Sequence, residues 1–473
     1  MIDTEALRKK VIDLAIQGKL TEQLPTDGDA ETLYAQIQEE KARLVKEGKI
    51  KKDKPLPEIT DDEIPFEIPE NWKWARFSTI ITLQSGQDLN STDYNDDENG
   101  IPYITGASNY LDDGTLIINR WTDSPKAFAY RGDILLSCKG TVGKLTILEE
   151  KEVHIARQIM GIRTYSVNVS FIRYFVDCML ERIKSASKGL IPGIERNDIL
   201  NLCCPLPSVE EQQRIVTKIE SVLAEIDVID DLQEKYRYDL ATLKSKIIDA
   251  GIRGKLTEQL SDDGDAESLY AQIQEEKAKL IKEGKIKKEK PLPDITEEEI
   301  PFEIPKNWKW IRWGDLSEKI QYGYNAPAKS SGRIRMVRIS DIQGGKVQWD
   351  SVPFCDIDED NIEDYLLHEN DILFARTGGT VGKSYIVSEI PEDAVFAGYL
   401  IRTSYSSDIY APYMKYFMES ALYWKQLQSG TIATAQPNCN GKTLAKMIVP
   451  FPPYAEQRRI AEKIDNVLYV LTQ

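Results

Sequence analysis

Histidine is nearly absent from this chain of 473 residues: it occurs only as His154 and His368. The two sit in unrelated contexts, so neither a zinc site nor a repeated histidine-based acid–base mechanism is expected. The six cysteines (Cys138, Cys178, Cys203, Cys204, Cys355, Cys439) form no CxxC pair. That usage points to reduced, buried thiols in a cytoplasmic protein rather than to a disulfide or metal framework. No apolar run approaches the roughly 18 residues of a membrane span. The opening MIDTEALRKKVIDLAIQGK has no apolar core and no small-residue cleavage site, so no secretory leader is expected. Positive charge is in deficit, with a net charge of −17 and a pI of about 4.9. This argues against an extended nucleic-acid footprint. The acid is gathered, however, into short runs at 61–63, 96–98, 297–299 and 356–364, which leaves room for a local basic surface.

What is present is present twice. Residues 18–76 and 254–312 align at an offset of 236, with 48 of 59 positions identical. Residues 205–228, PLPSVEEQQRIVTKIESVLAEIDV, match 450–473, PFPPYAEQRRIAEKIDNVLYVLTQ, at an offset of 245. Residues 243–260 match 7–24. The central segment 208–256 thus has a counterpart split between the two ends of the chain, and the expectation is that the termini meet to complete it with approximate two-fold symmetry.

The central segment reads as one long helix. Ser208 to Glu211 fits a capping box. Apolar residues then recur three or four apart at Ile215, Ile219, Val222, Ile226, Ile229, Leu232, Tyr236, Leu240, Leu243 and Ile247, a coiled-coil-like seam. Gly251 and Gly254 are expected to end it. At 1.5 Å per residue such a helix spans roughly 65 Å, and one apolar seam calls for a partner, expected to be antiparallel. Each half opens with an amphipathic helix (30–48, 266–284), a basic patch (KIKKDK, KIKKEK), an acidic stretch and IPFEIPxNWKW. The basic patches read as solvated linkers beside equally dense acid. The two middles differ from each other and read as α/β with strong β content. Strands are expected at 101–108, 114–121, 132–138, 145–150 and 158–165, and at 333–340, 370–377, 384–390 and 399–405, with helices near 170–186 and 411–428.

Both middles carry a glycine-rich loop after a strand, GDILLSCKGTVGKL (132–145) and NDILFARTGGTVGKS (370–384). A phosphate-binding loop needs GxxxxGK[ST], but Cys138 and Thr377 stand at its first glycine and Leu145 replaces the magnesium-binding hydroxyl in the first copy. A hairpin turn presenting Lys144 and Lys383 is the alternative. Phe451-Pro-Pro-Tyr454 imitates the Asn-Pro-Pro-Tyr motif of adenine methyltransferases, yet phenylalanine has no amide to hold an adenine. No glycine-rich strand–helix motif for S-adenosylmethionine and no repeated carboxylate pair is found. By elimination, the chain binds rather than catalyses.

The order and duplication of these features resemble the specificity subunits of Type I restriction-modification systems, over essentially the whole chain. The likeness rests on the NWKW entries (Asn71 to Trp74, Asn307 to Trp310), the GDIL and NDIL segments followed by GTVGK, the PLPSVEEQQRI and PFPPYAEQRRI helix starts, and GKLTEQL after each helix, at 18–24 following the N-terminal one and at 254–260 following the central one. The resemblance implies an α/β fold class: two α/β target recognition domains joined by long antiparallel coiled-coil helices, with pseudo-two-fold symmetry. The boundaries would be a conserved helix at 1–24, recognition domains at 25–207 and 257–452, the central helix at 208–256 and a closing helix at 453–473. The split copy of the central helix stops at Gln473, about eight residues short, so the expectation is either that a shorter second coil suffices or that the chain is a truncated or recombined version. Each domain would read one half of a bipartite, asymmetric target in double-stranded DNA. The coil would set the gap between half-sites and dock two adenine methyltransferase subunits. Motor–nuclease restriction subunits would join them. S-adenosylmethionine, ATP and magnesium would belong to those partners, with no cofactor, metal or catalysis in this chain and no membrane contact. Candidate DNA contacts are Thr105, Ser108, Asn109, Lys139, Thr141, Lys144, Arg157 and Gln158 in the first domain. In the second they are Arg338, Ser340, Asp341, Arg376, Thr377, Thr380, Lys383 and Tyr399. Arginine or lysine would read guanine, and Asn or Gln adenine. The competing readings are a coiled-coil adaptor without a DNA role and a degenerate methyltransferase or nucleotide hydrolase.

Overall fold

The computed structural model describes residues 1–52, 57–111, 113–186, 193–430 and 439–472. The chain divides into two compact units, Met1–Glu234 and Lys235–Gln473. The boundary falls inside the 44-residue helix Val209–Ile252, which closes the first unit and opens the second.

In the first unit the helix Thr4–Ile16 lies antiparallel to the first part of the central helix. The backbone N–H of Ile2 donates to Gln233 at 2.7 Å, Arg8 pairs with Asp227 and Asp230 at 2.6 and 2.8 Å, and Gln23 reaches Glu211 at 3.0 Å. As one residue number rises its partner's falls, which fixes the direction. Ala15, Ile16, Ile215 and Ile219 enter one core. The second unit repeats the arrangement with the last part of the central helix and the helix Tyr454–Thr472. Here Gly251 lies inside the helix and does not end it. A Cβ at Gly251 would come within 3.0 Å of Ile460 and Ile464, so glycine at this position lets two helices approach closely. Gly254, at φ +68°, is the terminator. The seam is not covered throughout: Leu232 and Tyr236 are 60% and 56% exposed.

A buried carboxylate near the start of each closing helix joins three segments. Glu211, fully buried, accepts from Trp72 Nε1 at 2.9 Å, Asn71 Nδ2 at 3.2 Å and Gln23 Nε2 at 3.0 Å. Glu456, equally buried, accepts from Trp308 Nε1 at 2.8 Å, Gln259 Nε2 at 2.8 Å and Thr257 Oγ1 at 3.2 Å. The capping box at Ser208 is therefore only half made. Ser208 Oγ accepts from the Glu211 N–H at 3.3 Å, but the Glu211 carboxylate is fully engaged elsewhere. The neighbouring glutamines repeat as well: Gln212 Oε1 accepts from Asn168 N, and Gln457 Oε1 from Tyr410 N.

Above this base each unit carries matching sheets. Lys73–Arg76 pairs with Cys203–Leu206, and Lys309–Arg312 with Ile448–Phe451. A four-stranded antiparallel sheet runs Ile81–Ser85, Ile159–Thr164, Ile134–Ser137, Leu145–Ile147 in the first unit. In the second it runs Lys319–Tyr322, Leu400–Ser404, Ile372–Ala375, Ser384–Ile386. Its central strand is buried on both faces. Ile134 and Leu136 enter one core and Leu135 another, as do Ile372 and Phe374 against Leu373, which follows from the period of two along a strand. A second sheet contains the parallel pairing Ile104↔Ile155, matched by Met336↔Val395.

The aspartate of each GDIL or NDIL segment braces the fold. Asp133 receives Arg163 at 2.7 and 2.9 Å and the Tyr130 N–H at 2.8 Å, and Asp371 receives Arg402 at 3.3 Å and the His368 N–H at 2.9 Å. The expected strands form in shortened versions, with one exception. Of 114–121, only Trp121 lies in a strand: Ile117 bonds through its N–H and C=O to the backbone and side chain of Asn109, and Thr115 O accepts from the Leu111 N–H in a turn. The expected helix at 411–428 is two, Ala411–Phe417 and Ala421–Gly430, interrupted where the Ser420 hydroxyl bonds to Phe417 O. His154 is fully buried, with Nε2 2.9 Å from Gln87 O and Nδ1 3.0 Å from Ala127 O.

Two outcomes follow from these bonds. Glu211→Ala strands the buried Trp72 indole and Gln23 amide, and is expected to cost about 2–4 kcal/mol. Glu211→Gln, which keeps an acceptor, costs less; urea unfolding of the full chain measures both. The second concerns acid stability. Arg76 clamps Glu63 at 2.6 Å and Arg312 clamps Glu299 at 2.7 and 2.8 Å. The guanidinium bonds pull each carboxyl from 4.5 down to about 2. A lowered folded value stabilises above the unfolded one. The stability advantage of the wild type over Glu63→Gln/Glu299→Gln should therefore be constant above pH 4.5 and vanish as pH falls toward 2.

Candidate nucleic-acid interface

In the first unit three turns converge at one end of the four-stranded sheet. The turn after Ile101–Ile104 holds Thr105, Ser108 and Asn109. The hairpin between Ile134–Ser137 and Leu145–Ile147 holds Lys139, Thr141 and Lys144. The turn before Ile159–Thr164 holds Arg157 and Gln158. Cys138 N donates to Gln158 O at 2.8 Å, joining the second to the third. A Cβ at Gly106 would lie 2.5 Å from Gln158 Oε1 and one at Gly140 would lie 3.8 Å away. The exposed Gln158 amide thus passes over the first turn because residue 106 is glycine.

The hairpin is not a phosphate cradle. It connects antiparallel strands, and the N–H groups of Gly143 and Lys144 bond to Ser137 O and Oγ at 2.9 and 2.8 Å. Those are the groups that would otherwise wrap a phosphate. Lys139 and Thr141 are exposed at its tip, while half-buried Lys144 reaches back to Tyr110 O at 3.1 Å. Arg157 is exposed and pairs with Asp88 at 2.7 Å, a weak tie that a phosphate would readily replace.

Asn109 does not belong to the accessible set. It is 1% exposed. Its Oδ1 accepts from Thr105 N at 2.9 Å, Thr105 Oγ1 at 3.0 Å and Gly106 N at 3.2 Å, and its Nδ2 donates to Ile117 O at 2.8 Å. The amide is used up in shaping the turn. In the second unit Asp341 takes the same place: it is buried and receives Arg338 at 2.7 and 3.1 Å and the Arg338 N–H at 2.8 Å. Asn109 and Asp341 are struts, contrary to expectation, since a side chain saturated inside a turn cannot meet a base. Thr105 serves the same turn, and Ser108 and Ser340 are exposed beside the struts.

The remaining residues of the second unit also converge. Arg376 N donates to Tyr399 O at 3.2 Å, and its guanidinium lies 4.7 Å from the centre of the Tyr322 ring. Among the described residues its Nε has no hydrogen-bond partner. Tyr399 is 65% exposed. Thr380 and exposed Lys383 border a cleft of about 230 Å³, and Thr377 leads into the same turn. Tyr322 was missed in sequence. Its signal was the glycine that follows, Gly323, matched by Gly86. A Cβ at Gly323 would come within 2.4 Å of Phe396 O, and one at Gly86 within 1.9 Å of Ala156 O, so both halves need a close strand crossing there.

A family model described as the Type I restriction modification DNA specificity domain matches residues 69–235 and again 305–473. The chain belongs to this family. The EcoAI specificity subunit of Escherichia coli is 28% identical, over 98% of this chain and 88% of that one. The EcoEI specificity subunit of Escherichia coli is 28% identical, over 99% and 89%. A solved chain from a study of complex assembly and conformational transition of the type I R-M system superposes with a TM-score of 0.56 at 16% identity, covering 86% of this chain and 93% of that chain; at that identity the likeness concerns the fold. In this specificity-family chain no described helix is long and apolar enough to cross a membrane.

The division between struts and exposed residues can be measured. Asn109→Ala leaves buried N–H groups unpaired and should cost about 2–3 kcal/mol, whereas Gln158→Ala should stay within about 0.5 kcal/mol. Thermal unfolding of the two variants checks the contrast.

Proposed function

We propose that this chain is the DNA-specificity subunit of a Type I restriction-modification complex and is itself non-catalytic. The observation that carries this reading is the double match to the specificity domain, falling on two units whose buried framework repeats while their exposed turns differ. Trp72, Gln23 and Glu211 are repeated as Trp308, Gln259 and Glu456. At the turn ends, exposed Gln158 is replaced by exposed Tyr399, and buried Cys138 by half-buried Arg376. A common frame with unlike readers fits a target made of two unlike half-sites.

In this reading the recognition domains lie within 25–207 and 257–452, and the long helix sets the spacing between half-sites. The candidate readers are the exposed or half-buried Ser108, Lys139, Thr141, Lys144, Arg157 and Gln158, with Arg338, Ser340, Arg376, Thr377, Thr380, Lys383 and Tyr399. Joining two short readouts in one chain turns two weak contacts into one bivalent recognition event. The repeated frame cannot distinguish half-sites, and it suits the partners common to both: two adenine methyltransferase subunits, with motor–nuclease subunits completing the complex. S-adenosylmethionine, ATP and magnesium are assigned to those subunits. Their surfaces would also supply phosphate contacts that a chain of net charge −17 is poorly suited to make alone.

Co-expression with its adenine methyltransferase in a methylation-free host is expected to produce a new methylated motif of two unlike half-sites split by an unspecified gap. Exchanging residues 75–207 for another family member's segment should change one half-site and leave the other. A soluble, associated pair that methylates no motif would sink the proposal.

A further inference from the structure

Directly after the Asp341 strut the second unit projects a short β-hairpin. Ile342 pairs with Val347 and Gln343 with Lys346. The two tip residues, Gly344 and Gly345, have φ of +58° and +77°. Positive φ at both central positions is the requirement of a type I′ turn, which matches the twist of a two-stranded ribbon. A Cβ at either glycine would meet nothing within 4 Å, so backbone conformation and not crowding explains the glycine pair, and the tip stands in open space. The base of the hairpin is held on both sides. Gln348 N donates to Asp341 O at 2.8 Å, and Arg338 fixes the Asp341 carboxylate. Ile342 and Val347 pack inward on the core. Gln343, Lys346 and Gln348 are exposed on the opposite face, as the alternation along a strand requires. The tip glycines border the same cleft as Thr380 and Lys383.

We propose that this hairpin enters the major groove and that Gln343 and Lys346 read base edges in the half-site of the second unit. The assignment rests on the specificity-subunit reading and deepens it. A two-stranded ribbon fits the major groove, where glutamine can bond adenine N6 and N7 and lysine guanine O6 and N7. The ribbon is anchored at its base and free at its tip, so these side chains are presented from a rigid support. Among the described residues the first unit has a single β-bridge at the corresponding place, with opposite chemistry. There Tyr110 bridges Leu116, and the tip carries Asp113, whose Oδ1 accepts from Thr115 N at 2.9 Å. An ionised carboxylate at that tip opposes approach to phosphates. The first half-site is therefore read by the turns bearing Lys139 and Gln158, and the hairpin contributes to one half-site only.

The test uses the full chain assembled with its adenine methyltransferase and duplexes carrying single base-pair changes in each half-site. Wild type and Gln343→Ala/Lys346→Ala are compared by competition binding, with thermal unfolding alongside. The double variant should unfold as wild type does. It should lose about 10- to 100-fold discrimination at one or two positions of a single half-site and keep full discrimination in the other. Lys346→Arg, which retains a guanine donor, should restore its position. Unchanged discrimination at every position overturns the assignment, as does uniform weakening on all sequences, which would mark phosphate contact alone. A wild-type complex with no sequence preference would defeat the specificity-subunit reading and the hairpin assignment together.

Discussion

Each unit of this chain is tied by a carboxylate buried away from the surface. Glu211 and Glu456 are fully buried and answer the indole N–H of a tryptophan and the amide of a glutamine that arrive from far away in sequence. A buried carboxylate is tolerable only when its lone pairs are filled by donors. The requirement runs both ways, because the indole and the amide would be orphaned without it. This interdependence makes the opening helix, the NWKW entry and the closing helix a single object. The sheets above are placed by it, since the NWKW strand and the strand preceding the closing helix pair directly.

That arrangement separates what must stay the same from what is free to vary. The frame's polar groups are buried in matched sets, and Gly251 sits closely against Ile460 and Ile464. The turns at the far end of the sheets face solvent and are supported by their own struts, Asn109 in one unit and Asp341 in the other. Asn and Asp fill the same place with different partners, backbone groups and the Thr105 hydroxyl in one case and an arginine clamp in the other. Each can support a different set of exposed residues without disturbing the base.

Much of the architecture was legible because it is periodic or duplicated. The repeat located both units, the apolar seam gave the central helix, and apolar runs located most strands. What stayed hidden depends on contacts distant in sequence. Asn109 and Asp341 look like ideal base readers from residue type and place, yet both are consumed internally. The 114–121 segment has a strand's composition, but Ile117 bonds to Asn109 and Thr115 O accepts from the Leu111 N–H within a turn. Glu211 sits where a capping box would use it and turns to Trp72 instead. The family likeness pointed to a kind of surface; it could not tell an exposed side chain from a strut, because that depends on which side of a turn a side chain lies.

The shared central helix has a consequence for how the protein is made. Glu211 lies in the first half of the chain, so the first unit can close its buried cluster while the ribosome is still translating the second. The second unit waits for Glu456, in the helix Tyr454–Thr472. A protein cut short, or trimmed by a protease in its last twenty or so residues, would keep one sound reader and leave the other with an unsatisfied tryptophan and an open core.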